Sequence, residues 1–323
     1  MPPLSAPQRM PGWLQGLRPL LWGKACLLCV CLFFTQAHAA DILVLLSEDS
    51  AAYRDVADNF RLQLAQDRPA LTIAVETLGG VGNQPEGESK LVLSVGLRAA
   101  QAALELRSRA PILATLVPKD GFDALSHSAL AERRLISAIY LDQPYSRQLA
   151  LIKLAFPERE RVGVLLRPGE QSKQDALLAA AKAQRLQLVS AVVGSDNALL
   201  PALERVLSTS DVLLALPAPL LYNKNTIQSV LLTSYRYRDP LVGYSQALVR
   251  AGALVALYST PSQIGRHAGE MVVRSFSAGT LPLPQYPKYY SVSINHQVAR
   301  SLGIPAPDEI GLLEALQRWE QTQ

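Results

Sequence analysis

Cysteine is almost absent from this chain, because its three copies among 323 residues all fall within the first 31 positions. From residue 40 onward the chain can form no disulfide and offers no thiolate for metal binding or catalysis. Charged residues (18%) and aromatic residues (6%) are also sparse, whereas hydrophobic residues make up 49% of the chain. This composition argues against intrinsic disorder and, at this length, favours one large domain or two of ordinary size.

Residues 1–39 have the three parts of a secretory signal. Arg9, Arg18 and Lys24 make its beginning basic, and no acidic residue accompanies them. An apolar run follows at 25–34, which is too short to cross a bilayer of about 30 Å as a helix. The small residues at 37–39 (AHA) then form a cleavage signal. We therefore predict a signal peptide over residues 1–39 and export to the periplasm; an N-terminal membrane anchor is the disfavoured alternative.

The chain also lacks an excess of charge of either sign once this leader is removed. The rest of the chain keeps 28 basic and 27 acidic residues, a formal charge of +1. Such a balance gives no electrostatic reason to bind nucleic acid or an anionic membrane. Only three histidines remain (127, 267 and 296), without the spacing of metal ligands. We therefore expect no metal, no cofactor and no nucleic-acid partner.

The rest of the chain alternates short apolar runs with longer amphipathic stretches. The apolar runs, predicted as strands, lie at 41–46, 71–75, 91–95, 111–117, 134–141, 161–166, 186–193, 211–216, 240–243, 253–258 and 291–294. The predicted helices lie at 52–66, 98–107, 146–156, 173–184, 198–208, 225–235, 263–277 and 308–319. This alternation predicts mostly parallel sheets with right-handed crossovers. Because the pattern restarts after residue 141, we expect two similar α/β lobes.

Polar and aromatic side chains follow the predicted strands, where open α/β sheets bind their ligands. The candidate binding residues are Ser47, Glu48, Gly96 and Thr115 in the first half, and Arg167, Pro217, Tyr222, Tyr244 and Tyr258 in the second. Tyrosines can stack on a flat ligand, and an arginine can pair with a carboxylate. The set therefore suits a small polar or zwitterionic molecule with an aromatic or apolar part.

A hydrolase is a second interpretation of the same region. Residues 243–247 (GYSQA) follow a predicted strand and resemble the nucleophile elbow G-x-S-x-G, with Ser245 as the nucleophile. Glu270 and His296 follow in the order of an acid and a base. Alanine replaces the last glycine of the motif, however, and no oxyanion segment of the HGGG type precedes it. We therefore predict no catalytic residue, and a test of Ser245 would decide the alternative.

Several segments of the second half resemble the periplasmic substrate-binding proteins of ABC transporters, in the family that includes tryptophan- and tyrosine-type binding proteins. The segments are AGALVALY at 251–258, QIGR at 263–266, AGTLP at 278–282, SIN at 293–295 and ARSLGIP at 299–305. The resemblance implies a type I periplasmic-binding fold, with two Rossmann-like lobes and a three-segment hinge near 141–142, 258–259 and 284–286. The first lobe would comprise 41–140 plus about 260–284, and the second about 142–258 plus 286–323.

The same resemblance implies a function without catalysis. The protein would capture a small molecule, such as an amino acid or an aromatic or carboxylate compound, between its lobes for an ABC importer. Its partners would be permease subunits in the inner membrane, and we expect a monomer. At Pro118, within LVPKD (116–120), and at Ala218, within PAP (217–219), the chain lacks the acidic or hydroxyl group that the family often places there to contact an amino group. A periplasmic regulatory module of the same fold, read by a sensor, is therefore the alternative.

Overall fold

The first of two β-sheets is built from alternating strands and helices near the start of the chain. The computed structural model describes residues 40–80, 89–305 and 308–322, so the predicted signal peptide lies outside the described residues. The elements of this part are β1 (Ile42–Leu46), α1 (Ala51–Asp67), β2 (Ile73–Thr77), β3 (Leu91–Val95), α2 (Leu97–Glu105), β4 (Ile112–Val117), α3 (Lys119–Ala131) and β5 (Ile136–Tyr140). The sheet has the order β2-β1-β3-β4-β5, and all its strand pairs are parallel.

Both faces of this sheet are covered, which explains why its central strands are mostly apolar. Ile42 and Val44 of β1 pack in one core cluster with Phe60 of α1, whereas Leu43 packs on the opposite face. The opposite face is closed by α2 and α3, with Phe122 in its cluster. Successive side chains of a strand point to opposite faces, so apolar residues occupy most positions of the central strands, and the buried Ser94 and Thr115 are exceptions.

The second sheet is built from the rest of the chain in the same way. The elements that follow along the chain are α4 (Tyr145–Ala155), β6 (Arg161–Leu166), α5 (Gln171–Ala183), β7 (Gln187–Val192), α6 (Leu199–Leu207), β8 (Val212–Leu214), α7 (Ile227–Tyr237), β9 (Leu241–Gly243), α8 (Gln246–Ala251), β10 (Val255–Tyr258), α9 (Pro261–Ala278), β11 (Ser291–Ile294), α10 (His296–Leu302) and α11 (Glu309–Gln321); all but α9 belong to the second sheet and its helices. Its order is β11-β10-β9-β8-β6-β7, and β11 pairs antiparallel at the edge.

The chain passes between the two sheets three times. It leaves the first sheet after β5 and enters the second through α4 and β6. After β10 it returns, because α9 packs in the same core cluster as β1 and α1. It then crosses a third time to reach β11, and on the way Gln285 bridges to Ile139 of β5. Each sheet with its helices forms one Rossmann-like lobe, and we propose the lobe limits at the residues given above.

The predicted α/β class with two mostly parallel sheets is confirmed, and the individual elements differ from it in detail. The helix α3 had no counterpart among the predicted helices, although Phe122, Leu125 and Ala129 give it a buried face. The short helices α8 and α10 were not predicted either. Within the described ranges, no helix combines the length and the hydropathy that crossing a bilayer requires.

His267 of α9 lies buried beside the third crossing. Its Nδ1 accepts the backbone N–H of Lys288 at 3.3 Å. Its Nε2 has no hydrogen-bond partner among the residues that the structure describes. Burial of the imidazole lowers the pKa of His267 to about 4, and Arg274 and Lys288 act in the same direction against the opposing charge of Glu270. The folded protein therefore holds this side chain neutral.

Replacing His267 by leucine should remove part of the acid sensitivity of the fold. Unfolded chains protonate histidine near pH 6.5, so the neutral folded form contributes stability above this pH and loses it as the pH falls towards 4. The loss amounts to about 3 kcal/mol. We expect the free energy of unfolding, measured with urea at pH 7.5 and 4.5, to fall less in His267→Leu than in the wild type. The exposed His127, changed to glutamine, is the control; equal pH dependence in all three proteins would contradict the account.

Candidate functional site

A cavity of about 430 Å³ lies where the first two crossings meet the ends of the second sheet's strands. Its lining residues are Ala52, Leu141, Asp142, Gln143, Gln148, Pro217, Tyr244, Ser245, Gln246, Ala247, Leu257, Tyr258, Ser259, Thr260 and Pro261. Ala52 belongs to a helix of the first lobe, and Pro217 and Tyr244 follow strands of the second. The volume and the mixture of apolar and polar side chains are those of a small-molecule site.

The strand ends position the aromatic side chains of this cavity. β9 ends at Gly243, and Tyr244 follows it before Ser245 caps α8 by accepting the backbone N–H of Leu248. Tyr258 is the last residue of β10, and its hydroxyl is hydrogen-bonded to the Ser293 hydroxyl at 2.8 Å. Because parallel strands end at the same edge of a sheet, the two tyrosines reach one cavity.

Hydrogen bonds connect the three crossings at the cavity. Gln143, on the first crossing, donates from Nε2 to the hydroxyl of Ser259 on the second at 2.9 Å. Ser259 donates in turn to the carbonyl oxygen of Tyr289 on the third crossing at 2.6 Å. The Gln143 amide and the Ser259 hydroxyl are thus occupied by structural hydrogen bonds, so they shape the cavity floor.

Arg147 of α4 bonds to residues of the first and third crossings and to the C-terminal helix. Its Nη1 donates to Gln143 Oε1 at 2.6 Å and to the Pro287 carbonyl oxygen at 3.0 Å. Its Nε bonds the carboxylate of Glu320 on α11, and its guanidinium lies 4.1 Å from the ring centroid of Tyr290. This buried arginine therefore links two crossings with the C-terminal helix.

Asp142 is the carboxylate of the cavity lining. One of its oxygens accepts the backbone N–H of Lys119 at 2.6 Å. Burial raises the pKa of Asp142, and the hydrogen bond from Lys119 opposes this shift. The lining contains no lysine, arginine or histidine. The cavity of the described residues therefore suits hydrogen-bonding and aromatic groups, with a single acidic group at its wall.

Four of the candidate residues from the second half lie in or beside the cavity. Pro217, Tyr244 and Tyr258 line it. Tyr222 is buried behind Tyr244, with ring centroids 6.4 Å apart in an edge-to-face arrangement. Burial raises the pKa of Tyr222, whose hydroxyl has no hydrogen-bond partner within the described ranges. Tyr222 therefore supports the ring of Tyr244.

The candidates from the first half serve the packing of strand ends in this structure. The Ser47 hydroxyl donates to the Val95 carbonyl oxygen and accepts the Ala99 N–H, both at 2.9 Å. The Thr115 hydroxyl donates to the Ser94 carbonyl oxygen at 3.0 Å. Gly96 has a φ of +90°, and a Cβ there would lie 2.5 Å from the Ser47 hydroxyl. Glu48 is exposed.

Arg167 lies outside the cavity lining. Its Nη2 and Nε donate to one carboxylate oxygen of Glu170 at 3.0 and 3.2 Å, and its backbone N–H donates to the other. The guanidinium is therefore paired within its own loop, and a ligand carboxylate would have to compete with Glu170 for it.

The cavity also contains residues that the sequence did not single out. They are Gln143 and Gln148 around the first crossing, Gln246 at the start of α8, and Thr260 after the second crossing. The predicted crossing points near 141–142 and 258–259 were the available signal. The hydroxyl of Ser245 has a helix-capping role, and Glu270 is bonded to Lys288 and Tyr289. Across the described part of the chain, no cluster of three acidic or histidine ligands could hold a metal.

Comparison with known proteins gives one family and a common fold. A family model described as ABC transporter substrate binding protein matches residues 86–317. No curated protein matches the sequence. The ligand-free, open structure of a substrate-binding protein with adhesive properties from Clostridium difficile is 17% identical, with a TM-score of 0.65, and the match covers 84% of this chain and 97% of that one.

Two further solved structures share the fold at similar distance. A domain from Streptococcus pneumoniae in complex with L-Trp is 16% identical, with a TM-score of 0.56 and coverage of 85% of this chain and 98% of that one. A conserved domain protein from Vibrio cholerae O1 biovar El Tor is 21% identical, with a TM-score of 0.57 and coverage of 85% and 97%. These structures show the fold that the two lobes adopt.

Proposed function

The chain belongs to the ABC transporter substrate-binding protein family, and from this premise we propose that it captures a small molecule between its two lobes and delivers it to an ABC importer. The observation that carries the proposal is the cavity of about 430 Å³, whose wall combines two crossings with the strand ends of the second lobe. A ligand there contacts the hinge itself, so its binding is coupled to the angle between the lobes.

The mechanism we propose is ligand-driven closure of the lobes. A molecule that touches both lobes binds more tightly when the lobes are closed, so it shifts the population towards that state. Ala52 stands on the first lobe, whereas Pro217 and Tyr244 stand on the second. The hydrogen bonds among Gln143, Ser259 and the third crossing keep the hinge segments in register while the lobes rotate.

The ligand we propose has a flat apolar part and several hydrogen-bonding groups. Tyr244 and Tyr258 offer ring faces and edges, and the amides and hydroxyls of Gln148, Gln246 and Thr260 offer polar contacts. Asp142 can pair with an ammonium group. Of the groups that the sequence suggested for the ligand, an aromatic ring and an amino group agree with this wall better than a carboxylate, because no cationic side chain of the described residues lines it and Arg167 is paired with Glu170. The other candidates Ser47, Glu48, Gly96 and Thr115 remain proposals for contacts made on closure.

The partners and the location follow from the same proposal. Permease subunits in the inner membrane would distinguish the closed from the open protein, and the signal at residues 1–39 would place the protein in the periplasm. We propose that it works as a monomer, because both lobes of the ligand site come from one chain. We propose no catalytic step, since solute binding by lobe closure requires none.

The compound bound in the cell can be identified directly. We expect protein purified from a periplasmic extract without dialysis to release a small molecule on denaturation, at close to one molecule per chain. Mass spectrometry of the released fraction would identify it. A protein with the Tyr244→Ala change, purified in parallel, should release much less of it. Equal release from both proteins would place the compound outside the proposed cavity.

A further inference from the structure

One ion pair joins a helix of the first lobe to a helix of the second, beside the first crossing. Lys173 lies on α5 of the second lobe, and Asp120 lies on α3 of the first. The ammonium group of Lys173 is 2.9 Å from a carboxylate oxygen of Asp120. Among the ion pairs of the described residues, the others join groups within one lobe or at a crossing. We call this contact the inter-lobe ion pair.

Lys173, the second-lobe member of this pair, is also hydrogen-bonded within its own lobe. The Lys173 ammonium also donates to Glu170 at 2.8 Å, and Glu170 accepts hydrogen bonds from Arg167. The side chains of Lys173 and Glu170 are only 13% and 11% exposed, whereas that of Asp120 is 60% exposed. A largely buried ammonium group, also bonded to Glu170, therefore contacts a more exposed carboxylate on the other lobe.

The charges of this cluster agree with such a role. Burial lowers the pKa of Lys173, but the hydrogen bonds to Glu170 and Asp120 outweigh it, so the pKa stays above its ordinary value. Burial raises the pKa of Glu170, but the donors Lys173 and Arg167 outweigh it, so the net shift is downward. Lys173 and Glu170 are therefore both charged at neutral pH.

We infer that the arrangement in which Asp120 meets Lys173 is the closed state of the lobes, and that this pair sets its population before ligand binds and thereby the affinity of the site. The inference rests on the proposed function in that closure is taken as the binding-competent motion. Rotation of the lobes changes the Asp120–Lys173 distance but leaves the Lys119–Asp123 pair intact, because both members of the latter lie on α3. Neither Asp120 nor Lys173 lines the cavity, but the charges of both act on Asp142 at its wall. The lobe distance of the ligand-free protein therefore isolates their effect on closure.

The size of the effect follows from the exposure of the pair. Partly exposed ion pairs stabilise a structure by up to about fivefold in an equilibrium constant. Apparent affinity is the intrinsic affinity multiplied by the closed fraction. While the closed fraction is small, loss of the pair therefore lowers the closed fraction and the apparent affinity by the same factor. Salt at 1 M shortens the screening length to about 3 Å and weakens the pair in the same way.

The inter-lobe distance of the ligand-free protein tests this inference. The only cysteines are at 26, 29 and 31, so the full chain with these changed to serine accepts two new labels. Glu105→Cys on α2 and Lys182→Cys on α5 are exposed and lie on different lobes. Spin labels at both sites report the distance distribution by double electron–electron resonance, at low salt and in 1 M NaCl.

We expect Asp120→Asn, and separately Lys173→Met, to lower the ratio of short to long distances by about three- to fivefold at low salt. Wild type in 1 M NaCl should resemble Asp120→Asn, which salt should hardly change. The matched control is Asp123→Asn, which removes an ion pair within α3 and should leave the distribution unchanged. An unaltered distribution in Asp120→Asn, or an equal change in Asp123→Asn, would overturn the inference. No ligand enters this measurement, so failure of the proposed ligand site would leave its result untouched.

Discussion

Replacing Tyr244 by alanine is expected to weaken ligand binding by about tenfold to a hundredfold, because the cavity loses its central aromatic surface. The ring lines the cavity on one side and packs edge-to-face on buried Tyr222 on the other. Removing it enlarges the cavity and leaves the Tyr222 side chain without its neighbour. Isothermal titration with the compound released from the purified protein would measure the change in Kd.

Two further variants test whether the loss of affinity comes from the missing aromatic ring of Tyr244. Tyr244→Phe keeps the aromatic surface and should retain most of the affinity unless the ligand bonds the hydroxyl. Tyr235→Ala removes an exposed tyrosine of α7 outside the cavity and should bind like the wild type. If Tyr244→Ala binds as tightly as Tyr235→Ala, Tyr244 has no place in the ligand site.

Replacing Gly265 by alanine is expected to lower the free energy of unfolding by about 3 kcal/mol. Gly265 lies on α9 where this helix packs against α1. A Cβ there would lie 2.3 Å from the Val56 carbonyl oxygen and 3.1 Å from the Phe60 nitrogen. Both are backbone atoms, so relief requires the two helices to move apart and opens the core of the first lobe.

The measurement is thermal or urea unfolding of the two proteins side by side. A loss of this size lowers the melting temperature by roughly 6–12 °C in a domain of such size. Gly79→Ala is the control, because a Cβ there meets no atom within 4 Å, and such a change is neutral or stabilises by up to about 1 kcal/mol. Equal stability of Gly265→Ala and Gly79→Ala would show that the α1–α9 approach is not as close as described.

The sequence was sufficient for the fold class because its strands are buried on both faces. The continuous apolar runs at β1 and β6 and the helix-length segments between strands indicate parallel sheets. The strand β11 was predicted at 291–294, but its antiparallel place at the edge was not, because edge position depends on which strand the chain reaches after its third crossing. The helix α3 was missed because Gly121 and a polar sequence around it interrupt the helical pattern that Phe122 and Leu125 provide.

The site could be predicted only in part, for a related reason. Strand ends are local features, and they indicated Tyr244 and Tyr258, which the structure places around one cavity. Gln143 and Ser259 meet across 116 residues of sequence, so no local pattern connects them. The role of Arg167 depends on Glu170, three residues further on, and on a loop geometry that residue types alone do not determine.

The most direct test of small-molecule capture is a thermal-shift screen of the wild-type protein and of Tyr244→Ala. The panel would contain amino acids, aromatic acids, nucleosides, sugars and small peptides, with L-tryptophan included because a relative of this fold binds it. A compound at about 100 times its Kd adds roughly 2.7 kcal/mol to the stability of the folded state. We predict a rise of several degrees with one chemical class in the wild type and a much smaller rise in Tyr244→Ala. No rise with any compound, or an equal rise in both proteins, would contradict ligand capture in this cavity.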